Sequence, residues 1–151
     1  MNLQILSAGL GTRLRPVTNK IPKPALPVLN VPMLFYSFHY FRNEKLNNIV
    51  VNTFHLEDVL KNTLKNYEQR FQYISDGKEV LGTGGGIENA KKLLIGKGDF
   101  WVANGDGVFI SDDDFIYEAQ KIHKSKKPIC TLVVMEHQEV GKKFGGVWVN
   151  A

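Results

Sequence analysis

Apolar and polar positions alternate along this chain between two patterns. Compact apolar runs predict buried strands over residues 3–7, 48–52, 71–74, 100–103, 129–135 and, at the end, 146–150. Apolar residues three or four apart predict helices after Pro32, over 56–67, over 87–94 and from Ser111 onward. Strands that alternate with helices are typical of an α/β domain with a mainly parallel sheet.

Glycine-bearing segments follow three of the predicted strands. They cover residues 8–12, 82–86 and 104–107. The carboxyl ends of parallel strands meet at one edge of the sheet, where ligands bind in such folds. We therefore expect these three segments to form one site.

The first of these segments carries the strongest chemical signal. Gly9 and Gly11 allow the backbone to approach a bulky anion, and Arg13 and Arg15 follow at once. Lys23 comes ten residues after Arg13, between two prolines. Guanidinium and ammonium groups placed there favour a phosphate ligand. The alternative is a tight turn between a strand and a helix, whose charged residues lie on the surface and have no binding role.

Two common phosphate motifs are excluded. A dinucleotide fingerprint needs glycine where Leu14 stands, and no Gly-Lys-Ser/Thr follows at Walker spacing.

Asp106, between two glycines after a strand, is either a Mg²⁺ ligand or the cap of a turn. The run Asp112-Asp113-Asp114 is better explained by the first turn of a helix than by a metal cluster.

Composition narrows the class of protein. Apolar residues make up 43% and charged residues 23% of 151 residues, which is typical of a soluble globular protein. The net charge of +4 comes from dispersed Lys and Arg, so a nucleic-acid binder is disfavoured. No apolar run approaches a membrane span, and no leader is recognisable. The single cysteine, Cys130, predicts a cytoplasmic protein and, in an apolar run, an inert core position.

Three segments together resemble the sugar-1-phosphate nucleotidyltransferases. The opening motif of that family is similar to Ser7-Ala8-Gly9-Leu10-Gly11-Thr12-Arg13-Leu14-Arg15-Pro16, followed by Pro22-Lys23-Pro24. The base-recognition loop of its guanylyl and uridylyl branches resembles Glu79-Val80-Leu81-Gly82-Thr83-Gly84-Gly85-Gly86-Ile87. Asn104-Gly105-Asp106 resembles its metal-binding turn.

The resemblance implies a three-layer Rossmann-like nucleotide-binding domain with a mainly parallel sheet, a single domain over 1–151. It implies transfer of a nucleoside monophosphate from a nucleoside triphosphate to a sugar 1-phosphate, with Mg²⁺ as cofactor and pyrophosphate as leaving group. The form Leu81-Gly82-Thr83-Gly84-Gly85 favours guanylyl transfer, with uridylyl transfer close behind.

The resemblance also assigns roles to individual residues. It makes Arg13 and Lys23 catalytic, Asp106 the metal ligand and Gly145 the start of the sugar-phosphate loop. It gives nucleotide binding to Ala8, Gly9, Leu10, Gly11, Thr12, Gly82, Thr83, Gly84 and Asn104.

The chain departs from the family in length, since Ala151 falls inside a strand-like run while family members continue. Three alternatives follow: a fragment of a longer enzyme, a short non-catalytic nucleotide-binding module, or a chain completed by a second polypeptide. The oligomeric state is left open.

Overall fold

A computed structural model describes residues 1–94, 98–108, 114–142 and 146–147. The chain divides into two compact units, Met1–Ile110 and Ser111–Ala151. The regular elements of the first unit are β1 (Asn2–Leu6), β2 (Pro27–Val28), β3 (Val31–Pro32), α1 (Met33–His39), β4 (Asn48–Thr53), α2 (Glu57–Leu64), β5 (Phe71–Ser75), α3 (Gly82–Leu94) and β6 (Phe100–Asn104). Three short 3-10 helices, Thr12–Leu14, Val17–Asn19 and Lys23–Ala25, lie between β1 and β2.

A four-stranded parallel sheet organises the first unit. Its strand order is β5-β4-β1-β6, and β1 pairs in register with β4 on one side and β6 on the other. The strands β2 and β3 form a separate antiparallel pair. The predicted α/β class with a mainly parallel sheet is confirmed.

One face of the sheet is covered by α3. At alternate positions of β1, the side-chain amides of Asn2 and Gln4 donate to the carbonyl oxygens of Leu94 and Gly86, at 2.9 and 2.8 Å. Between the sheet and α3 lies an apolar cluster of Val50, Ala90 and Leu94. Because side chains alternate along a strand, Leu3 and Ile5 project to the opposite face.

Aromatic side chains on α1 and just after it cover the opposite face of the sheet. The rings of Phe35 and Phe38 lie 5.8 and 5.2 Å from that of Phe71 on β5. Phe41, just after α1, lies 5.6 Å from Trp101 on β6. The sheet is therefore sandwiched between α3 and α1, which gives the three layers of a Rossmann-like fold.

The glycine-rich segment 82–86 differs from its prediction as a turn that precedes a helix. It forms the first turns of α3 itself, although glycine has the lowest helix propensity of any residue except proline. The helix passes so close to β4 that a Cβ on Gly86 would lie 2.9 Å from the side-chain nitrogen of Asn52. Tertiary packing thus overrides the local preference of the sequence.

In the second unit, α4 spans Phe115–Lys126. The side chain of Asp114 accepts a hydrogen bond from the backbone N–H of Tyr117 at 3.1 Å, so the expected acidic helix cap is confirmed at this position. Ser111, Asp112 and Asp113 lie outside the described residues.

The predicted strand over 129–135 is wrong. The structure has no strand there, and Ile129, Leu132 and Met135 are strongly exposed. Cys130 is exposed as well, so its assignment to the core is also wrong. An apolar run becomes a strand only where a neighbouring strand satisfies its backbone, and the second unit provides none among its described residues.

The last predicted strand, over 146–150, lies mostly outside the described residues, and Gly146 and Val147 belong to no regular element. Across the part of the chain that the structure describes, no helix has both the length and the apolar composition to cross a bilayer.

Candidate functional site

A cavity of about 300 Å³ opens at the carboxyl edge of the parallel sheet. Residues at or just after the ends of all four strands line it: Leu6, Asn52, Asp76 and Asn104. The chain runs from β1 outward to β4 and β5 and then returns to β6 on the other side of β1. Such a reversal of strand order leaves a crevice at the strand ends.

The segment after β1 forms one wall of the cavity. Ala8, Gly9, Gly11 and Thr12 line it, and Leu10 does not. Gly11 has a positive φ of 62°, and a Cβ on it would come within 2.9 Å of the side chain of Thr18. The turn at this point therefore requires glycine.

Partly buried hydrogen bonds hold this segment in place. The hydroxyl of Thr18, which is 1% exposed, donates to the carbonyl oxygen of Gly11 at 2.9 Å. His55 Nε2 lies 2.7 Å from the carbonyl oxygen of Thr18. The chain that leads from Gly11 to Lys23 is thus anchored to the segment after β4.

Two cationic side chains reach the cavity from this anchored segment. Arg13 belongs to the 3-10 helix Thr12–Leu14, and Lys23 begins the 3-10 helix Lys23–Ala25 directly after Pro22. Lys23 Nζ donates to Asp106 Oδ2 at 2.5 Å, with side chains 29% and 40% exposed. Arg15 does not line the cavity.

The end of β6 and the start of α3 supply further walls. Asn104 is the last residue of β6 and Asp106 comes just after it, and the N–H of Gly105 between them donates to the carbonyl oxygen of Leu6 at 2.8 Å. Gly82 and Thr83 line the cavity from the start of α3.

Besides Leu10, two predicted site residues are not among these. Gly84 is outside the lining, and Gly145 lies outside the described residues. The structure thus gathers most of the predicted site residues around one cavity.

Sequence reasoning missed three polar residues at the cavity. Asn52 and Asp76 line it and are 2% and 6% exposed. Ser7, 5% exposed, also lines it, and its hydroxyl has no hydrogen-bond partner in the described part of the protein. Their one sequence signal is that each is a polar residue at or just after the end of an apolar strand, and turn residues share this signal.

The donor set can hold a metal only together with other ligands. Asp106 supplies one accessible carboxylate, and the described residues include no group of three or more His, Cys, Asp or Glu side chains placed to bind a metal. Mg²⁺ is commonly held by one or two carboxylates plus phosphate oxygens and water. The residues present fit that mode of binding.

Comparisons with known proteins agree with this geometry. The model of the nucleotidyl transferase family matches residues 4–151. The chain is 33% identical over 147 residues to the catalytic subunit beta of mannose-1-phosphate guanylyltransferase from Xenopus tropicalis, covering 94% of this chain and 40% of that protein. It is 32% identical over 161 residues to the UTP–glucose-1-phosphate uridylyltransferase of Synechocystis, covering 97% and 40%.

A solved structure supports the same assignment. HddC from Yersinia pseudotuberculosis, in complex with GMP-PN, aligns with a TM-score of 0.64 and 29% identity. The alignment covers 80% of this chain and 53% of that one. The chain thus spans only part of the length of the proteins that it matches. Because the family model matches nearly the whole length of this chain, and because the cavity described above agrees with it, this chain belongs to the nucleotidyl transferase family.

Proposed function

We propose that this chain carries the nucleotide-binding part of a sugar-1-phosphate nucleotidyltransferase, with guanylyl transfer as the favoured reaction. The observation that carries the proposal is the convergence of a glycine-bearing loop, Arg13, Lys23 and Asp106 on one cavity at the carboxyl edge of a parallel sheet. The family to which the chain belongs supports the class of reaction.

In the proposed reaction, a phosphate oxygen of the sugar 1-phosphate attacks the α-phosphorus of a nucleoside triphosphate. A bond forms between that oxygen and the α-phosphorus, while the bond from the α-phosphorus to the bridging oxygen of the β-phosphate breaks. The electron pair leaves with pyrophosphate, and the product is a nucleoside diphosphate sugar. Such chemistry depends mainly on positioning and on neutralising charge.

The residues of this chain divide these tasks. Arg13 is assigned to the β- and γ-phosphates, where charge grows as pyrophosphate leaves. Lys23 is assigned to the α-phosphoryl region, where it aligns the two reactants. The backbone of 8–12, held by the Thr18 and His55 contacts, presents N–H groups to the nucleotide.

We propose Mg²⁺ as cofactor, with Asp106 as its protein ligand. The accessible carboxylate of Asp106 beside the cavity supports this assignment. When bound, the ion would neutralise phosphate charge and fix the geometry of the triphosphate.

The identity of the base is proposed from sequence and relatives together. Guanine is favoured by the form Leu81-Gly82-Thr83-Gly84-Gly85 and by the guanylyltransferase relative from Xenopus. Uracil is the second candidate, because the Synechocystis relative is a uridylyltransferase of nearly equal identity.

A cytoplasmic location is proposed because nucleoside triphosphates and sugar phosphates are metabolites of that compartment.

A second candidate function is nucleotide binding without turnover. The observation that supports it is that the residues assigned to the nucleotide and to the metal line one cavity, which is all that binding alone requires. This candidate and the enzyme share the nucleotide site and differ in whether the chain completes a sugar site.

The test is release of pyrophosphate from GTP or UTP in the presence of Mg²⁺ and a panel of sugar 1-phosphates, with nucleotide binding measured in parallel. Release that depends on one nucleotide and one sugar phosphate is the expected result. Binding without release would favour the second candidate. If neither GTP nor UTP binds at millimolar concentration, the proposal is overturned.

A further inference from the structure

A largely buried relay of hydrogen bonds runs along the wall of the cavity. Asn52, near the end of β4, accepts a hydrogen bond from the backbone N–H of Ser7 through its Oδ1, at 2.8 Å. Its Nδ2 donates to Asp76 Oδ1 at 3.1 Å. Asp76 Oδ2 in turn accepts from the backbone N–H of Leu81 at 3.2 Å.

The ends of this relay lie in the two backbone segments that enclose the cavity. Ser7 directly precedes Ala8 and Gly9, and Leu81 directly precedes Gly82 and Thr83 of α3. The relay therefore connects the segment after β1 with the start of α3 through two side chains from β4 and the end of β5.

The surroundings leave this relay little freedom to rearrange. The backbone N–H of Asp76 donates to the carbonyl oxygen of Thr53 at 2.8 Å, which fixes the residue against β4. On the other side, α3 passes over Asn52 at Gly86 without room for a Cβ. A buried amide and a buried carboxylate in such a setting stabilise one arrangement, since any loss of a partner leaves a polar group unsatisfied.

We propose that Asn52 and Asp76 are positioning residues for the nucleotide: they hold the segment after β1 and the start of α3 at the separation at which both contact it. The inference rests on the proposed function. It assigns these residues an effect on nucleotide affinity that they exert through the backbone of Ser7 and Leu81. A purely structural pair would change stability alone.

The polarity of the relay provides a sharp test. Asn52→Asp places two carboxylates face to face, and Asp76→Asn turns an amide N–H toward the N–H of Leu81 if the bond to Asn52 is kept. In the double variant the pattern closes again: Asp at 52 accepts from Ser7 and from the amide at 76, whose oxygen accepts from Leu81. All three variants keep nearly the same side-chain volume.

Asn48 provides the matched control. It lies on the same strand, and its Nδ2 donates to the carbonyl oxygen of Leu93 at 3.0 Å, at the far end of α3 from the cavity. Asn48→Ala removes an asparagine hydrogen bond from β4 to α3, together with the one that Gln72 on β5 donates to Asn48, without touching the lining of the cavity.

The measurements are dissociation constants for GTP and UTP with Mg²⁺, by calorimetry on the whole chain, together with thermal stability. We expect each single variant to weaken binding of the preferred nucleotide by about tenfold or more, the size expected for a hydrogen bond to a charged group. We expect the double variant to recover most of that loss and Asn48→Ala to lose stability but keep wild-type affinity.

The outcomes separate the two proposals. Failure of the wild type to bind GTP and UTP would overturn the proposed function and this inference with it. Normal wild-type binding combined with single variants that bind as tightly as Asn48→Ala would overturn the inference alone. A double variant that regains stability and still binds weakly would also overturn it.

Hydrogen exchange of the wild type provides a measurement that does not depend on the folding of any variant. On addition of the nucleotide that binds, the amide hydrogens of Ser7 and Leu81 should exchange more slowly, while those at the far end of α3 should not change. Equal protection at both ends of α3, or none at Ser7 and Leu81, would contradict the positioning role.

Discussion

Lys23 and Asp106 are 83 positions apart in the sequence, but in the structure Lys23 Nζ lies 2.5 Å from Asp106 Oδ2. The sequence indicates each of them separately, as a charge beside a glycine or between prolines. It does not predict their contact, because that depends on how the 3-10 turn at Lys23 meets the end of β6. The ion pair is half-exposed, so its contribution to stability is small.

The cations at the cavity should therefore matter to turnover far more than to folding. We predict that Arg13→Ala and Lys23→Ala each lower turnover by about 100- to 1000-fold, as is typical for loss of a group that stabilises transition-state charge. The free energy of unfolding should change by less than about 1 kcal/mol. Turnover assays and chemical denaturation measure the two effects.

Lys20 offers a matched control for these substitutions. It lies three residues before Lys23, is exposed, and does not line the cavity. Lys20→Ala should keep both turnover and stability. Wild-type turnover in either Arg13→Ala or Lys23→Ala would remove that residue from the catalytic role.

Asp106 should couple nucleotide binding to the divalent cation. In the wild type, Mg²⁺ should increase the thermal stabilisation produced by GTP or UTP, because a ligand that binds only the folded state raises stability by mass action. Asp106→Asn should abolish that increment while leaving folding intact, and addition of EDTA should abolish it in the wild type.

Asp58, an exposed carboxylate on α2 away from the cavity, serves as the comparison. Asp58→Asn should retain the full increment from Mg²⁺. If Asp106→Asn retains it too, another group holds the ion and the assignment of Asp106 is wrong.

At the scale of elements, α3 contains two glycines that should respond in opposite ways to substitution. Gly86→Ala should destabilise the protein by about 1–3 kcal/mol, because the added methyl group would meet Asn52 in a packed layer. Gly84→Ala, in the same helix with nothing within 4 Å of its Cβ position, should stabilise it by up to about 1 kcal/mol through helix propensity. Urea denaturation measures both, and a reversal of this order would contradict the packing of α3.

The strands of the parallel sheet could be predicted because each of them is a short apolar run with a clear end. The structure places β1, β4, β5 and β6 within one residue or so of the expected bounds. The start of α3 could not be predicted, because glycine has a low helix propensity and the close packing of Gly86 against β4 is defined only by the folded chain. The exposed run at 129–135 could not be predicted either, since apolar character does not specify the partner that a strand needs.

The candidate site shows the same division. The backbone segments and charges of the cavity follow from glycines, cations and an aspartate after strand ends. Asn52 and Asp76 do not stand out in the sequence, because asparagine and aspartate at strand ends are usually turn residues. Their role arises from hydrogen bonds that span 24 and 45 positions, which only the folded chain defines.

At the scale of the whole molecule, the exposed apolar side chains of the second unit stand out. Leu132 and Val134 are each 63% exposed, within a run of similar residues. Surfaces of this kind bind hydrophobic dyes. We predict that the native protein binds such a dye and that Leu132→Lys with Val134→Lys lowers the fluorescence.

These two substitutions should change the free energy of unfolding by less than about 0.5 kcal/mol each, as is usual at exposed positions. Chemical denaturation with and without the substitutions checks this. A large loss of stability with unchanged dye binding would mean that the two side chains are buried in solution.

The pairing of Lys23 with Asp106 has a consequence for how binding responds to ionic strength. The ammonium of Lys23 already faces the carboxylate of Asp106, so this pair attracts and repels a nucleotide phosphate from nearly the same place. Dissolved ions screen the repulsion from Asp106 as well as the attraction to Lys23. The affinity for the nucleotide should therefore decline less steeply with added electrolyte than it would if the side chains of Arg13 and Lys23 both faced only water.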